Sequence, residues 1–135
     1  MTYMVFISES AEETLRIASG FAKTLKPNDA VLLNGEMGAG KTLFTKGIVK
    51  GLGNKSEVLS PTYTYMNDYG GVYHFDFYRM SRSEQAEALG LCDYFYAGGI
   101  CIIEWGENVK EVLPQKVKTV NIKIIGDGRR EIEYE

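Results

Sequence analysis

The chain is poor in several residue types, and each shortage excludes a class of protein. Two cysteines, Cys92 and Cys101, form neither a C-x-x-C pair nor a metal-ligand cluster, so free thiols in a reducing cytosol are expected. Basic residues are not in excess. Fifteen Lys and Arg against 18 Asp and Glu leave a net charge of −3, which excludes a domain-wide basic field able to grip nucleic acid unaided. Contact with RNA or DNA would need a local patch or a partner. No apolar run is long enough to cross a membrane. The N-terminus has no basic segment followed by a long apolar one, so no secretory signal is expected and a cytoplasmic protein is. Prolines number three, and Pro27, Pro61 and Pro114 each fall where an element is expected to end.

What is present fits one domain spanning residues 1–135. That length holds a core without disulfides or structural metal. Apolar residues at 44% and charged residues at 24% are ordinary for a globular domain. No repeat, low-complexity tract or change of composition marks a linker.

The most informative segment runs from Gly35 to Thr42, G-E-M-G-A-G-K-T, a full match to G-x-x-x-x-G-K-[ST]. Glycines at Gly35, Gly38 and Gly40 let the backbone turn with positive φ and bring N–H groups close to an anion. A helix starting near Lys41 would aim its positive end at the same point. Lys41 would then reach the β- and γ-phosphates and the Thr42 hydroxyl a Mg²⁺ ion, with Glu36, Met37, Ala39 and Leu43 completing the cradle. Context supports this. Ala30 to Leu33 is a short apolar run that predicts a buried strand, and Leu43, Gly47, Ile48 and Leu52 recur at helical spacing after the loop.

The remaining pattern predicts an α/β fold: one P-loop NTPase-like domain with a mixed, mostly parallel central sheet, flanking helices and two β-hairpins. Tyr3 to Ile7 predicts a strand. Ser10 opens a capping box with Glu13 and an apolar stripe to Leu25. The aromatic runs 63–69 and 72–78 flank Gly70-Gly71 and predict a hairpin. Ser81-Arg82-Ser83-Glu84 predicts a second capping box and a helix to about Leu89. Ile100 to Ile103 predicts a central strand, 107–113 a short helix, and 117–125 with 129–134 a second hairpin around Asp127-Gly128.

Glu104 directly follows the apolar run 100–103, where a Mg²⁺-related acid belongs in a nucleotide-triphosphate site. Asp76 lies in an aromatic strand, sharing a face with His74 and Tyr78. It either meets solvent or serves a polar site. His74 is more readily read as a packing residue than a catalytic one. Thr62, after Pro61, could act as a mobile γ-phosphate sensor or belong to a plain turn. Asp68-Tyr69-Gly70-Gly71 and Asn54-Lys55-Ser56-Glu57 resemble GTPase motifs but occur in the wrong order and context, so ATP is expected rather than GTP.

Five segments together, GEMGAGKT (35–42), SPTYTYMNDY (60–69), YHFDFYRM (73–80), EALGLCDYF (87–95) and IEWGE (103–107), resemble the TsaE (YjeE) family of small bacterial P-loop ATPases. The departures, Glu36-Met37, Phe77 and Met80, are small. The resemblance implies an ATPase acting with TsaB and TsaD proteins to install threonylcarbamoyl on the adenosine beside the anticodon, meeting tRNA through that complex. It implies that Lys41 and the loop glycines hold phosphates, Thr42 and Glu104 hold Mg²⁺, Thr62 is the switch-like sensor and Asp76 is the water-orienting or essential acid. Trp105 would line the nucleotide or partner surface and Thr14 would lie near the adenine. A monomer that hydrolyses ATP slowly alone is expected, with Arg79 and Arg82 as local cations. The rivals are a small-molecule kinase and an assembly factor in which hydrolysis is dispensable.

Overall fold

The computed structural model describes residues 3–61 and 63–135. In chain order the elements are β1 (Met4–Ser8), α1 (Ala11–Ala22), β2 (Ala30–Asn34), α2 (Lys41–Gly51), β3 (Met66–Asp68), β4 (Val72–Asp76), α3 (Ser83–Ala88), β5 (Ile100–Glu104), β6 (Lys118–Gly126) and β7 (Arg129–Tyr134). Two 3₁₀ segments, Leu91–Tyr96 and Gly106–Val112, flank β5. The strands form one sheet in the order β1-β7-β6-β2-β5-β4-β3. Its centre, β6-β2-β5-β4, is parallel, and antiparallel pairs close both edges.

Why β2 and β5 are central follows from their composition. A-V-L-L-N and I-C-I-I-E carry apolar side chains on both faces, which suits strands covered on both sides. One face packs Val31, Leu33, Ile102, Val120, Ile122 and Ile132 beneath α1 and α2. The opposite face packs Phe75, Phe77, Cys101 and Ile103 against α3 and the 3₁₀ segments. Helix α1 starts at Ser10, whose extended backbone lets its hydroxyl oxygen accept the Glu13 N–H at 3.1 Å. Gly47 explains how closely α1 and α2 approach, because a Cβ there would lie 2.5 Å from the Ala18 Cβ.

Several expectations shift. The apolar stripe predicted a first helix to Leu25, but α1 ends at Ala22, where Thr24 and Leu25 turn back to Phe21 and Ala22 carbonyls. Helix α3 begins at Ser83. The Gln85 side chain, not Glu84, accepts the N–H groups of Ser81 and Arg82 at 2.7 and 3.0 Å. The predicted helix over 107–113 is 3₁₀, broken at Val109, where φ is −135°. The first hairpin is much shorter than its aromatic pattern suggested. β3 holds only three residues, because Tyr65 leaves the extended region at φ 65° and its N–H bonds to the Pro61 carbonyl at 2.9 Å.

Candidate functional site

The site lies at the carboxyl ends of β2, β4 and β5, where an open parallel sheet ordinarily presents its ligand crevice. β2 runs into the loop 35–40 and α2 follows at once. Gly40 at φ 106° and ψ 26° is the residue before the helix, a left-handed conformation that a side chain would strain. Gly38 is also left-handed at φ 84°. Gly35 was expected to share that geometry and does not. It is required instead because a Cβ would stand 2.9 Å from the Ile122 carbonyl oxygen. The first N–H to bond back along the helix is Phe44, to Gly40 at 2.9 Å, so the amides of Lys41, Thr42 and Leu43 have no carbonyl one turn earlier within α2.

A cleft of about 640 Å³ opens at this helix start. Met37, Gly38, Gly40, Lys41, Thr42 and Leu43 line it from the loop side, and Asp76, Glu104 and Trp105 from the strand ends. The Lys41 side chain is only 9% exposed. Its ammonium stands 4.0 Å from Glu104 Oε1 and 4.6 Å from the centre of the Trp105 ring. Trp105 holds that position from a left-handed backbone, φ 58°, as the chain leaves β5, and its ring also meets Tyr78 at 5.0 Å. Such strain at a strand end beside a cleft is a feature of functional sites.

Parallel pairing sets Asp76 beside Glu104 in register. Two carboxyl groups thus share one face at the cleft, both nearly buried. Burial pushes the Asp76 carboxyl above its ordinary value of 3.8. The Tyr78 N–H, donated to Asp76 Oδ1 at 2.9 Å, works against that shift, and the Glu104 charge adds to it. Glu104 Oε2 is bonded to His74 Nε2 at 2.6 Å. An ammonium, a helix N-terminus, a hydroxyl and two carboxyl groups around one cleft match the needs of a polyphosphate with a divalent cation. The donor set suits Mg²⁺ bridged to phosphates, which takes one or two protein oxygens and not a full protein cage. Among the described residues no group of three or more His, Cys, Asp or Glu gathers to hold a metal.

Other expected residues fall elsewhere. Thr62 lies outside the described residues; Ser60, two positions before it, lines the cleft. Ala39 is buried in the loop, packed into the core on the α1–α2 side, and Glu36 is not among the lining residues. Thr14 opens onto a separate recess of about 210 Å³ on the other side of Gly40 and Leu43, with its hydroxyl 2.7 Å from that of Ser8. Arg79 lines the cleft and stacks on Tyr63 at 4.5 Å. Arg82 points away, 3.7 Å from Glu84 at an exposed site. The GTPase-like matches serve turns: Asp68 Oδ1 accepts the Gly71 N–H at 3.1 Å, and Asn54 Oδ1 the Ser56 N–H at 2.8 Å.

Two contributors were not legible beforehand. Arg130, on β7, donates to the Ala39 and Gly38 carbonyls at 2.9 and 3.3 Å and so braces the phosphate loop from behind. A trans peptide carries C=O and N–H on opposite sides, so the Gly40 N–H points away from Arg130. Lys46 also lines the cleft. Its spacing of one helical turn from Thr42 was the available signal.

The sequence profile of the family "Threonylcarbamoyl adenosine biosynthesis protein TsaE" matches residues 8–132. A Bacillus subtilis (strain 168) protein named tRNA threonylcarbamoyladenosine biosynthesis protein TsaE is 44% identical over 91% of this chain and 79% of its own length. A Treponema pallidum (strain Nichols) protein of the same name is 39% identical over 93% of this chain and 96% of its own. The solved structure "Crystal structure of Bacillus subtilus YdiB" superposes with a TM-score of 0.84 at 38% identity, covering 98% of this chain and 84% of that one. With the motif, the sheet order and these matches in agreement, the chain belongs to the TsaE family of tRNA threonylcarbamoyladenosine biosynthesis proteins.

Proposed function

We propose that this chain binds ATP with Mg²⁺ in the cleft at the start of α2. It hydrolyses the nucleotide slowly alone and supports tRNA threonylcarbamoyladenosine formation with TsaB and TsaD proteins in the cytoplasm. The observation that carries this is the meeting of Lys41, Glu104 and Asp76 at the N-terminus of α2, behind a complete phosphate-loop sequence. Lys41 and the loop amides bind the β- and γ-phosphates. Thr42 and Glu104 are the residues that hold Mg²⁺, which supplies charge neutralisation at the phosphates. Asp76 orients the attacking water and is the group able to take its proton, a role suited to a carboxyl raised by burial. Trp105 lines the nucleotide side of the cleft, Thr14 the adenine side of the loop, and Thr62 senses the γ-phosphate.

Slow hydrolysis by the isolated, monomeric chain follows from the cleft's openness and cation count. Arg79 is the one arginine among its described lining residues, and its guanidinium is engaged by Tyr63. An extra cation supplied in trans raises phosphoryl-transfer rates by about 10³–10⁵-fold in comparable sites. The deciding experiment is the steady-state ATPase rate of the chain alone and with TsaB–TsaD, tRNA present in both. A large partner-dependent rise is expected. Fast turnover by the chain alone, unchanged by partners, would overturn the reading. Full tRNA modification by a Glu104→Ala variant that still binds ATP would reduce hydrolysis to a dispensable accompaniment.

A further inference from the structure

His74 has no solvent exposure and does not line the cleft, yet it joins two functional regions. Its Nε2 meets Glu104 Oε2 at 2.6 Å. With the Glu104 carboxylate accepting, the hydrogen of that bond sits on Nε2. Nδ1 faces the Tyr69 hydroxyl at 3.4 Å. The same hydroxyl donates to the Leu59 carbonyl at 2.9 Å and accepts the Leu59 N–H at 3.1 Å. The next residue, Ser60, lines the cleft. Asn67 reinforces the junction by donating to both the Leu59 carbonyl and the Tyr69 hydroxyl, at 3.0 and 3.3 Å. Asn54 holds the Tyr69 carbonyl.

The Tyr69 hydroxyl thus stands between the Leu59 backbone and His74 Nδ1. A contiguous run of polar contacts leads from Leu59 through Tyr69 and His74 to Glu104, the kind of network that carries coupling between separated groups. We propose that His74 is a positioning residue that couples docking of the 59–60 segment, through Tyr69, to the Glu104 carboxylate facing Lys41. The role given to Glu104 rests on the nucleotide-site reading above. The connection itself does not.

The test is amide hydrogen exchange at Leu59, first in nucleotide-free protein. Glu104→Gln changes the exchange rate of that amide by about threefold or more in the otherwise native chain, the scale of coupling among groups in one network. The change disappears when His74→Phe is added. Tyr69→Phe, which removes one oxygen and keeps the ring, gives a second background should His74→Phe fail to fold. Next, Mg²⁺ with a non-hydrolysable ATP analogue alters Leu59 exchange in the native chain, and both His74→Phe and Tyr69→Phe abolish the response. A Glu104→Gln effect that persists in both backgrounds, or is absent from the native one, overturns the proposal. If the native chain binds no ATP analogue, the nucleotide reading falls, and the nucleotide-free cycle still decides the coupling. A purely space-filling histidine would leave the Glu104 substitution without effect at Leu59.

Discussion

The two hairpins carry similar sequence signals and do different work. In β6–β7 the strands of nine and six residues pair along most of their length around Asp127-Gly128, with a register shift between Ile124 and Gly126, and their inward side chains, Ile122, Ile132 and Tyr134, pack under α1 and α2. In β3–β4 pairing stops after three residues. Three side chains between 69 and 76 meet polar partners or the cleft: Tyr69 holds Leu59, His74 holds Glu104, and Asp76 ends at the cleft. An alternating run thus serves packing alone when its polar positions face water. When those positions are buried they become a site, because each buried polar group must then be paired.

Substitutions should separate the two hairpins. The largest effect on stability belongs to the second. Ile132→Ala removes a fully buried side chain between Phe6 and Ile122 and costs about 2–5 kcal/mol. Chemical denaturation measures this, and turnover per folded molecule stays at the native value. Asp76→Asn in the first hairpin does the opposite, lowering ATP turnover by about 10²-fold or more. Its stability effect has a definite sign. Because the folded carboxyl titrates above its ordinary value, folded protein binds the proton more tightly than unfolded chain. Stability therefore falls as pH rises through that window. Melting temperatures measured across pH should show the variant more stable than the parent above the window. The two should converge below pH 3.8, the ordinary value.

A smaller effect tests the one residue that breaks the division. Arg130 lies on β7 but braces the phosphate loop, so Arg130→Ala weakens ATP binding by about fivefold, the worth of roughly one hydrogen bond. Titration with a fluorescent ATP analogue reads this directly. The side chain of its neighbour Arg129 makes an exposed pair with Glu9 at 3.1 Å. Arg129→Gln should leave nucleotide affinity unchanged and the denaturation midpoint within experimental error. Equal effects at the two arginines would erase the distinction between hairpins.

Local pattern carried much of the molecule. The order strand, glycine loop, helix at 30–51 was legible because motif, apolar run and helical spacing agree on one short stretch. The central place of β5 followed from an apolar run that suits burial on both faces. Glu104 was legible because it ends that run. Asp76 was undecided between solvent and site until β4 was paired with β5 in register. Residues 63–65 were misread as strand, since nothing in an aromatic repeat announces a left-handed Tyr65. Arg130 and His74 were hidden for another reason: their partners lie 91 and 30 residues away along the chain.

By itself the sequence determined the phosphate loop, the helix behind it and the buried strands beside it, because those depend on backbone conformation and burial within a few neighbouring residues. Only the tertiary structure decided which carboxylates meet Lys41, which arginine braces the loop, and that the single histidine joins Glu104 to Tyr69. Those are contacts between strand ends, and sheet order and register, which no local pattern encodes, bring them together.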